Sequence, residues 1–329
     1  MSGMIFAAFL FASALFADFS TLYVMPHTER QGRSDTVWEV KAEEPFNELI
    51  LSWNAPREAD AQYTFFVSLR QNGDWSPWLY YGDWGKTGQM LPVESPEDSF
   101  AETNRGTTRP KTGFCDGFRV HLLANGKEGL SPIRMFSASL SNLSRFSPSS
   151  NDCKLPSVLL ENVPAQSLNM LRLDRHYDMC LGAAMISAVK YLSKRDLDTS
   201  DYIAHTMDND FESHDFYPLH AAESYHRLGG AYQVRIVRLN GFEEIHSRLV
   251  QSVPIVVSVQ GTPSGGFPWP FYRPHMLTVI GYNAESDKVA CLDPIFPTNK
   301  SSYQSYLLED FLRIWGKKQN IACVFEKIE

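Results

Sequence analysis

The chain has 329 residues, enough for two ordinary domains with real cores. Its hydrophobic content of 43% and charged content of 21% are those of a globular protein. A net charge of −8 without a long basic run argues against a nucleic-acid binder.

The N-terminus reads "MSGMIFAAFLFASALFADFS". Met4 to Ala17 form an apolar run too short to span a bilayer comfortably, and small residues stand at Ala12, Ser13, Ala14 and Ala17. This is the pattern of a secretory signal peptide over residues 1–17, cleaved near Ala17. The absence of Lys and Arg before the run keeps a buried strand or helix as the alternative. No later stretch has the length and apolarity of a transmembrane helix, so the mature chain is expected to be exported, periplasmic or extracellular. The cysteines are Cys115, Cys153, Cys180, Cys291 and Cys323. No CxxC pair occurs, which disfavours zinc. Export permits disulfides, and an odd count leaves at least one thiol unpaired within the chain.

Residues 18–150 read as strands. "TVWEVKA", "NELILSWNA", "YTFFVSLR", "WSPWLYYG", "GFRVHLLA" and "IRMFSASL" alternate in polarity or form short apolar runs between turn residues. Such spacing predicts a β-sandwich, with "NGD" at 72–74 as a hairpin tip. The polar stretch "ESPEDSFAETNRGTTRPKTG" is expected to be a long loop. "SNLSRFSPSSNDCKLPS" is rich in Ser, Asn and Pro and reads as an interdomain linker.

The pattern then changes, over residues 151–329. Helices are expected at 179–193 and at "DFYPLHAAESYHRLGG", the latter stopped by Gly229 and Gly230. "YQVRIVRL" predicts a strand, "GFEEIHSRLVQ" a short helix, and "VPIVVSVQG", "HMLTVIGYN" and "KVACLDP" further strands. "SYLLEDFLRIW" predicts a helix and "NIACVFEKI" a last strand. A helix followed by several strands is an α+β plan.

Cys180 opens the first of these helices, after the polar run Asp174, Arg175, His176, Tyr177 and Asp178. A thiol at a helix N-terminus feels the positive end of the macrodipole, which favours the thiolate. Gly182 and Ala183 leave space beside the sulfur. A free cysteine is more often a small core hydrophobe, so Cys180 alone decides nothing. His275 begins an apolar strand, after a loop of Gly, Pro and aromatics suited to wall a cleft. Asp293 ends the next predicted strand. Two adjacent antiparallel strands would set Asp293 beside His275, giving a nucleophile, a base and a carboxylate that orients the base.

In "MCLGAAMISAVKYL", "VPIVVSVQG", "RPHMLTVIGYN" and "CLDPIF", and in their order, residues 151–329 resemble the C39-like peptidases, papain-fold enzymes related to the double-glycine leader peptidases that process bacteriocins. "FNELILSWNA" and "WSPWLYYGDWG" resemble the β-sandwich that precedes such a domain in exported bacterial members. The resemblance implies a papain-like cysteine peptidase with an accessory sandwich, no cofactor or metal, and a peptide or protein substrate such as cell-wall peptide. Cys180, His275 and Asp293 would be its triad. The family also carries a Gln upstream of the Cys as oxyanion donor; Gln166 is the nearest here, with Asn169 as a substitute. The family's Gly-Pro or Ser-Pro-Thr after the Cys is replaced by Leu181-Gly182-Ala183. The missing close Gln keeps open an inactive relative that binds peptide or cell-wall material, and amidase chemistry on the same fold is a further alternative. Trp75, Trp78, Tyr80, Tyr81 and Trp84 are either core and edge packing or a glycan-stacking surface. His205, His214, His220 and His226 lack ligand spacing and read as surface or structural. Trp269 and Phe271 are expected to line a groove or cover the site.

Overall fold

The computed structural model describes residues 19–57, 61–86, 96–148, 154–171, 173, 178–208, 213–263 and 271–328. The signal peptide expected at 1–17, Cys153, the run Asp174 to Tyr177 and Trp269 lie outside the described residues.

The N-terminal half is built on strands. In chain order they are β1 (Ser20–Val24), β2 (Asp35–Phe46), β3 (Glu48–Asn54), β4 (Gln62–Gln71), β5 (Asp74–Trp75), β6 (Leu79–Gly85), β7 (Ala101–Asn104), β8 (Thr107–Pro110), β9 (Cys115–Asn125) and β10 (Met135–Ser141). One antiparallel sheet has the order β1-β10-β3-β8-β7; the second has β2-β9-β4-β5, with β6 also paired to β4. Leu49, Leu51 and Trp53 of β3 share a buried core with Phe65 and Val67 of β4 and Phe118 and Val120 of β9, so the sheets pack face to face. Asn72 and Gly73 both have positive φ, the conformation a two-residue hairpin needs. The polar stretch expected to be a long loop instead contains the β7–β8 hairpin. Its strands are four residues each and mostly polar, too short to show a periodic apolar signal.

Tyr81 and Trp84 lie in the sandwich core. Trp75 and Trp78 stay near the surface and hold the Arg119 guanidinium between them, at 4.6 and 4.5 Å from the ring centroids.

The C-terminal half adds β11 (Val158–Leu159), α1 (Cys180–Ser193), α2 (Thr199–Ala204), α3 (Tyr217–Arg227), β12 (Tyr232–Arg238), α4 (Phe242–Val250) and β13 (Ile255–Gly261). Then come β14 (Phe271–Asn283), β15 (Lys288–Leu292), β16 (Tyr303–Leu307), α5 (Leu308–Gly316) and β17 (Ile321–Lys327). All seven strands join one antiparallel sheet, ordered β12-β17-β13-β14-β15-β16, with β11 against β14. The sheet is buried on both faces. Ile255, Val257 and Val259 pack with α4 and α5; Val256, Cys323 and Phe325 pack with α1 and α3. The expected helix "SYLLEDFLRIW" begins later, because Ser305 to Leu307 pair with Lys288 to Ala290 as β16.

The halves meet along β3, whose seven residues are all buried. Leu49, Leu51 and Trp53 face the sandwich, while Glu48, Ile50, Ser52 and Asn54 face the C-terminal half. β12 is an edge strand with unpaired backbone groups, and β3 satisfies them with side chains. Asn54 accepts from Val234 N at 2.9 Å and donates to Val234 O at 2.8 Å. Ser52 Oγ accepts from Ile236 N at 3.0 Å. Ser137, Ser139 and Ser141 on β10 stand beside Ser52, Ile50 and Glu48. Phe216, Leu219 and Ala222 lie in the sandwich core itself.

Glu48 is fully buried and bound by Arg238 and Arg109. Burial opposes its ionisation, but Arg238 and then Arg109 outweigh this and hold the carboxyl below its ordinary pKa. Glu48→Ala would strand the Arg238 guanidinium, whose side chain is only 4% exposed. Loss of one partner of such a pair is expected to lower unfolding stability by about 3–5 kcal/mol, read by urea denaturation of the full chain.

Candidate active site

Cys180 is the first residue of α1. No side chain caps this helix, so its first backbone N–H groups keep their anion-binding capacity. Leu181, Met185, Ile186 and Val189 bury the helix in the core, and Ala183, Ala184 and Ala188 let it approach its neighbours closely. Thr278 Oγ1 donates to Ala184 O at 2.9 Å and ties β14 to the second turn of α1. The room expected beside the sulfur at Gly182 is instead taken by α2. A Cβ there would lie 2.9 Å from Ile203 Cγ1, so the glycine admits α2.

His275 and Asp293 come from β14 and from the residue just after β15, strands that pair antiparallel. His275 Nε2 lies 2.7 Å from Asp293 Oδ1. An ionised carboxylate only accepts, so Nε2 donates and Nδ1 is left for the thiol. Asp293 is fully buried and has three donors: His275 Nε2, the Ile295 amide at 3.1 Å and the Tyr306 hydroxyl at 2.6 Å. Phe271 stacks on the imidazole with ring centroids 4.4 Å apart.

Burial works against the His275 charge. Asp293 outweighs it through charge and hydrogen bond, the hydrogen bond and charge of Cys180 add to this, and the pKa is pushed up to about 10. The three residues therefore meet, with the imidazole between thiol and carboxylate. Cys180 and His275 are 8% and 6% exposed, so the pair is nearly dry.

Gln166 is not brought to the thiol. Its Oε1 accepts from Thr199 Oγ1 at 2.9 Å and its Nε2 donates to Ser167 O at 3.1 Å. It lines a groove with Lys190, Tyr191 and Lys194, at the end of α1 opposite Cys180. Ser167 holds this segment in place: its amide donates to Asn299 Oδ1 at 2.7 Å and its hydroxyl to Phe296 O. Asn169 is exposed on the following turn.

Sequence reasoning did not single out Tyr306 or Thr278. The alternation in "SSYQSYL" was the available signal for Tyr306, on the strand misread as helix. Burial pushes Cys115 up to about 12 and raises Cys291 and Cys323 strongly. His220 is fully buried, with Nε2 2.9 Å from His214 O, and burial pulls it down to about 3.

His275 takes up its proton more tightly in the folded chain than at its ordinary pKa of 6.5. Its contribution to stability is fully present below pH 6.5 and is lost as pH rises through about 10. Asp293→Asn removes the charge that holds the proton. The stability gap between wild type and this variant, from urea denaturation, should be widest below pH 6.5 and narrow toward about pH 10.

The profile of the Peptidase_C39 like family matches residues 160–323, which include Cys180, His275 and Asp293. No curated protein matches the chain. Among solved structures, a crystal structure from Bacillus anthracis assigned as a C39-like peptidase is similar, at 15% identity and a TM-score of 0.41, covering 53% of this chain and 100% of its own. Through residues 160–323, the chain belongs to the Peptidase_C39 like family.

Proposed function

We propose that the protein is an exported cysteine peptidase of papain-like architecture that uses Cys180, His275 and Asp293. The observation that carries this reading is the buried imidazole of His275, held by Asp293 at 2.7 Å, with the Cys180 thiol adding to the rise in its pKa. A raised imidazole pKa beside a thiol stabilises the thiolate–imidazolium pair. The Cys180 sulfur attacks a peptide carbonyl and forms a thioester. The imidazolium gives its proton to the leaving amine, and the neutral imidazole then takes a proton from the water that hydrolyses the thioester. Asp293 keeps Nε2–H fixed, so Nδ1 is the nitrogen that carries protons. The uncapped N-terminus of α1, beginning with the Cys180 amide, faces the developing oxyanion. The substrate is a peptide or protein, with cell-wall peptide as a candidate class, and the leader at 1–17 directs export.

The position of Gln166 supports one rival, a relative that binds peptide without cleaving it. Lacking that donor, an acyl-transfer site loses about a hundred- to a thousandfold in rate. Covalent labelling by an activity-based thiol probe separates the two.

Cys180→Ala should lower kcat by roughly 10⁴-fold or more while leaving the circular dichroism spectrum and melting temperature in place. Turnover that survives in the purified variant defeats the assignment. Iodoacetamide should modify Cys180 at mildly acidic pH at least about tenfold faster than free cysteine, and faster than Cys115, Cys291 or Cys323.

A further inference from the structure

β14 does not run flat between Phe271 and His275. Val259 of β13 stands opposite His275 and Gly261 opposite Phe271, so the single residue Gln260 faces Tyr272, Arg273 and Pro274. This is a bulge with two extra residues on β14. In a strand paired on both sides, a proline past the first residue belongs at a bulge, because it has no N–H for the ladder. Gln260 Nε2 donates to Tyr272 O at 3.0 Å across the irregularity. Gly261 has a φ of +113°, and a Cβ there would lie 2.9 Å from Lys317 Nζ. Both strands are thus adapted to the bulge, by a glycine on one and a proline on the other.

The consequence is the position of Phe271. Residues four apart on a flat strand lie about 13 Å from each other. Here the rings of Phe271 and His275 stack, with 4.4 Å between centroids and 27° between planes. Tyr272, Arg273 and Pro274 are exposed, whereas Phe271 and His275 are buried. The three intervening residues loop outward and the two rings close on each other. An imidazolium over the face of a benzene ring is attracted by the ring quadrupole, more strongly where water is excluded. A neutral imidazole lacks that charge, so the stack favours the protonated ring. It also fixes the plane in which Nε2 meets Asp293 at 2.7 Å. The titratable groups that act on His275 are Asp293, just after β15, and Cys180 of α1. Tyr306 of β16 binds Asp293, and Val259, the partner of His275 on β13, carries no charge.

We infer that Phe271 is a positioning residue of the candidate site: laid on the imidazole by the bulge of β14, it holds the ring plane and favours the charged form that a thiolate–imidazolium pair requires. The inference rests on the peptidase reading for the use made of that charge, but its test needs no turnover.

Phe271→Leu keeps an apolar cover over the ring while removing the quadrupole. Nitrogen NMR of the labelled imidazole in the full chain should place the His275 midpoint about 0.5–1 pH unit lower in F271L than in wild type. F271I, a second apolar replacement with good strand propensity, should show the same fall, so the comparison does not depend on one variant folding well. F271Y keeps an aromatic face and should titrate within about 0.2 pH unit of wild type. Melting curves from circular dichroism report whether each variant is folded. A role limited to apolar packing would be met by Leu or Ile and would leave the midpoint in place. An unchanged or raised midpoint in the folded apolar variants, or a fall in F271Y equal to that in F271L, would overturn the inference. A wild-type midpoint near 6.5 would count against the peptidase reading, while the difference between the variants would still decide the role of Phe271.

Discussion

A carboxylate shut away from water must be given donors, and Asp293 is the group on which the candidate site depends. Its oxygens are occupied by the His275 imidazole, the Ile295 amide and the Tyr306 hydroxyl. The charge of Asp293 keeps His275 protonated despite burial, and its rigidity fixes which ring nitrogen faces Cys180. The antiparallel pairing of β14 and β15 makes this possible without a flexible linker, because Thr278 and Val279 sit directly opposite Leu292 and Cys291. The bond from Thr278 to Ala184 then relates that sheet to α1. The chemistry is therefore placed by ordinary sheet register and one helix–strand tie.

The N-terminal half contributes more than an appended module would. β3 turns Leu49, Leu51 and Trp53 to the sandwich and Glu48, Ile50, Ser52 and Asn54 to the C-terminal half, where Asn54 and Ser52 take the place of a strand beside β12. Glu48 anchors the same seam through two arginines, one from each half. Such an interface is specific because its polar groups are satisfied only in one register.

Much of the plan was legible in the sequence. Periodicity located α1, α3, α4 and most strands, because their apolar faces are long enough to show. Cys180 opens α1 and Asp293 follows β15, while His275, expected at the start of a strand, lies inside β14, which begins at Phe271. What could not be read was decided by contacts distant in sequence. Tyr306 sits on a strand whose neighbours, Leu307 to Trp315, have strong helical composition, and only pairing with β15 extends the strand that far. β7 and β8 are polar and short, so their pairing is set by the turn and by Tyr81. Gln166 satisfied the family's residue type, but its amide is used by Thr199 and Ser167. Gly182 looked like space and is in fact the contact that lets Ile203 close on α1.

The most direct test of this account is the titration of His275 itself, followed by nitrogen NMR of the labelled imidazole in the intact chain. A ring held between a buried carboxylate and a thiol should stay protonated through neutral pH and release its proton only near pH 10. A ring that titrates close to 6.5, like a free histidine, would mean that Asp293 does not hold it and that the proposed triad is not assembled.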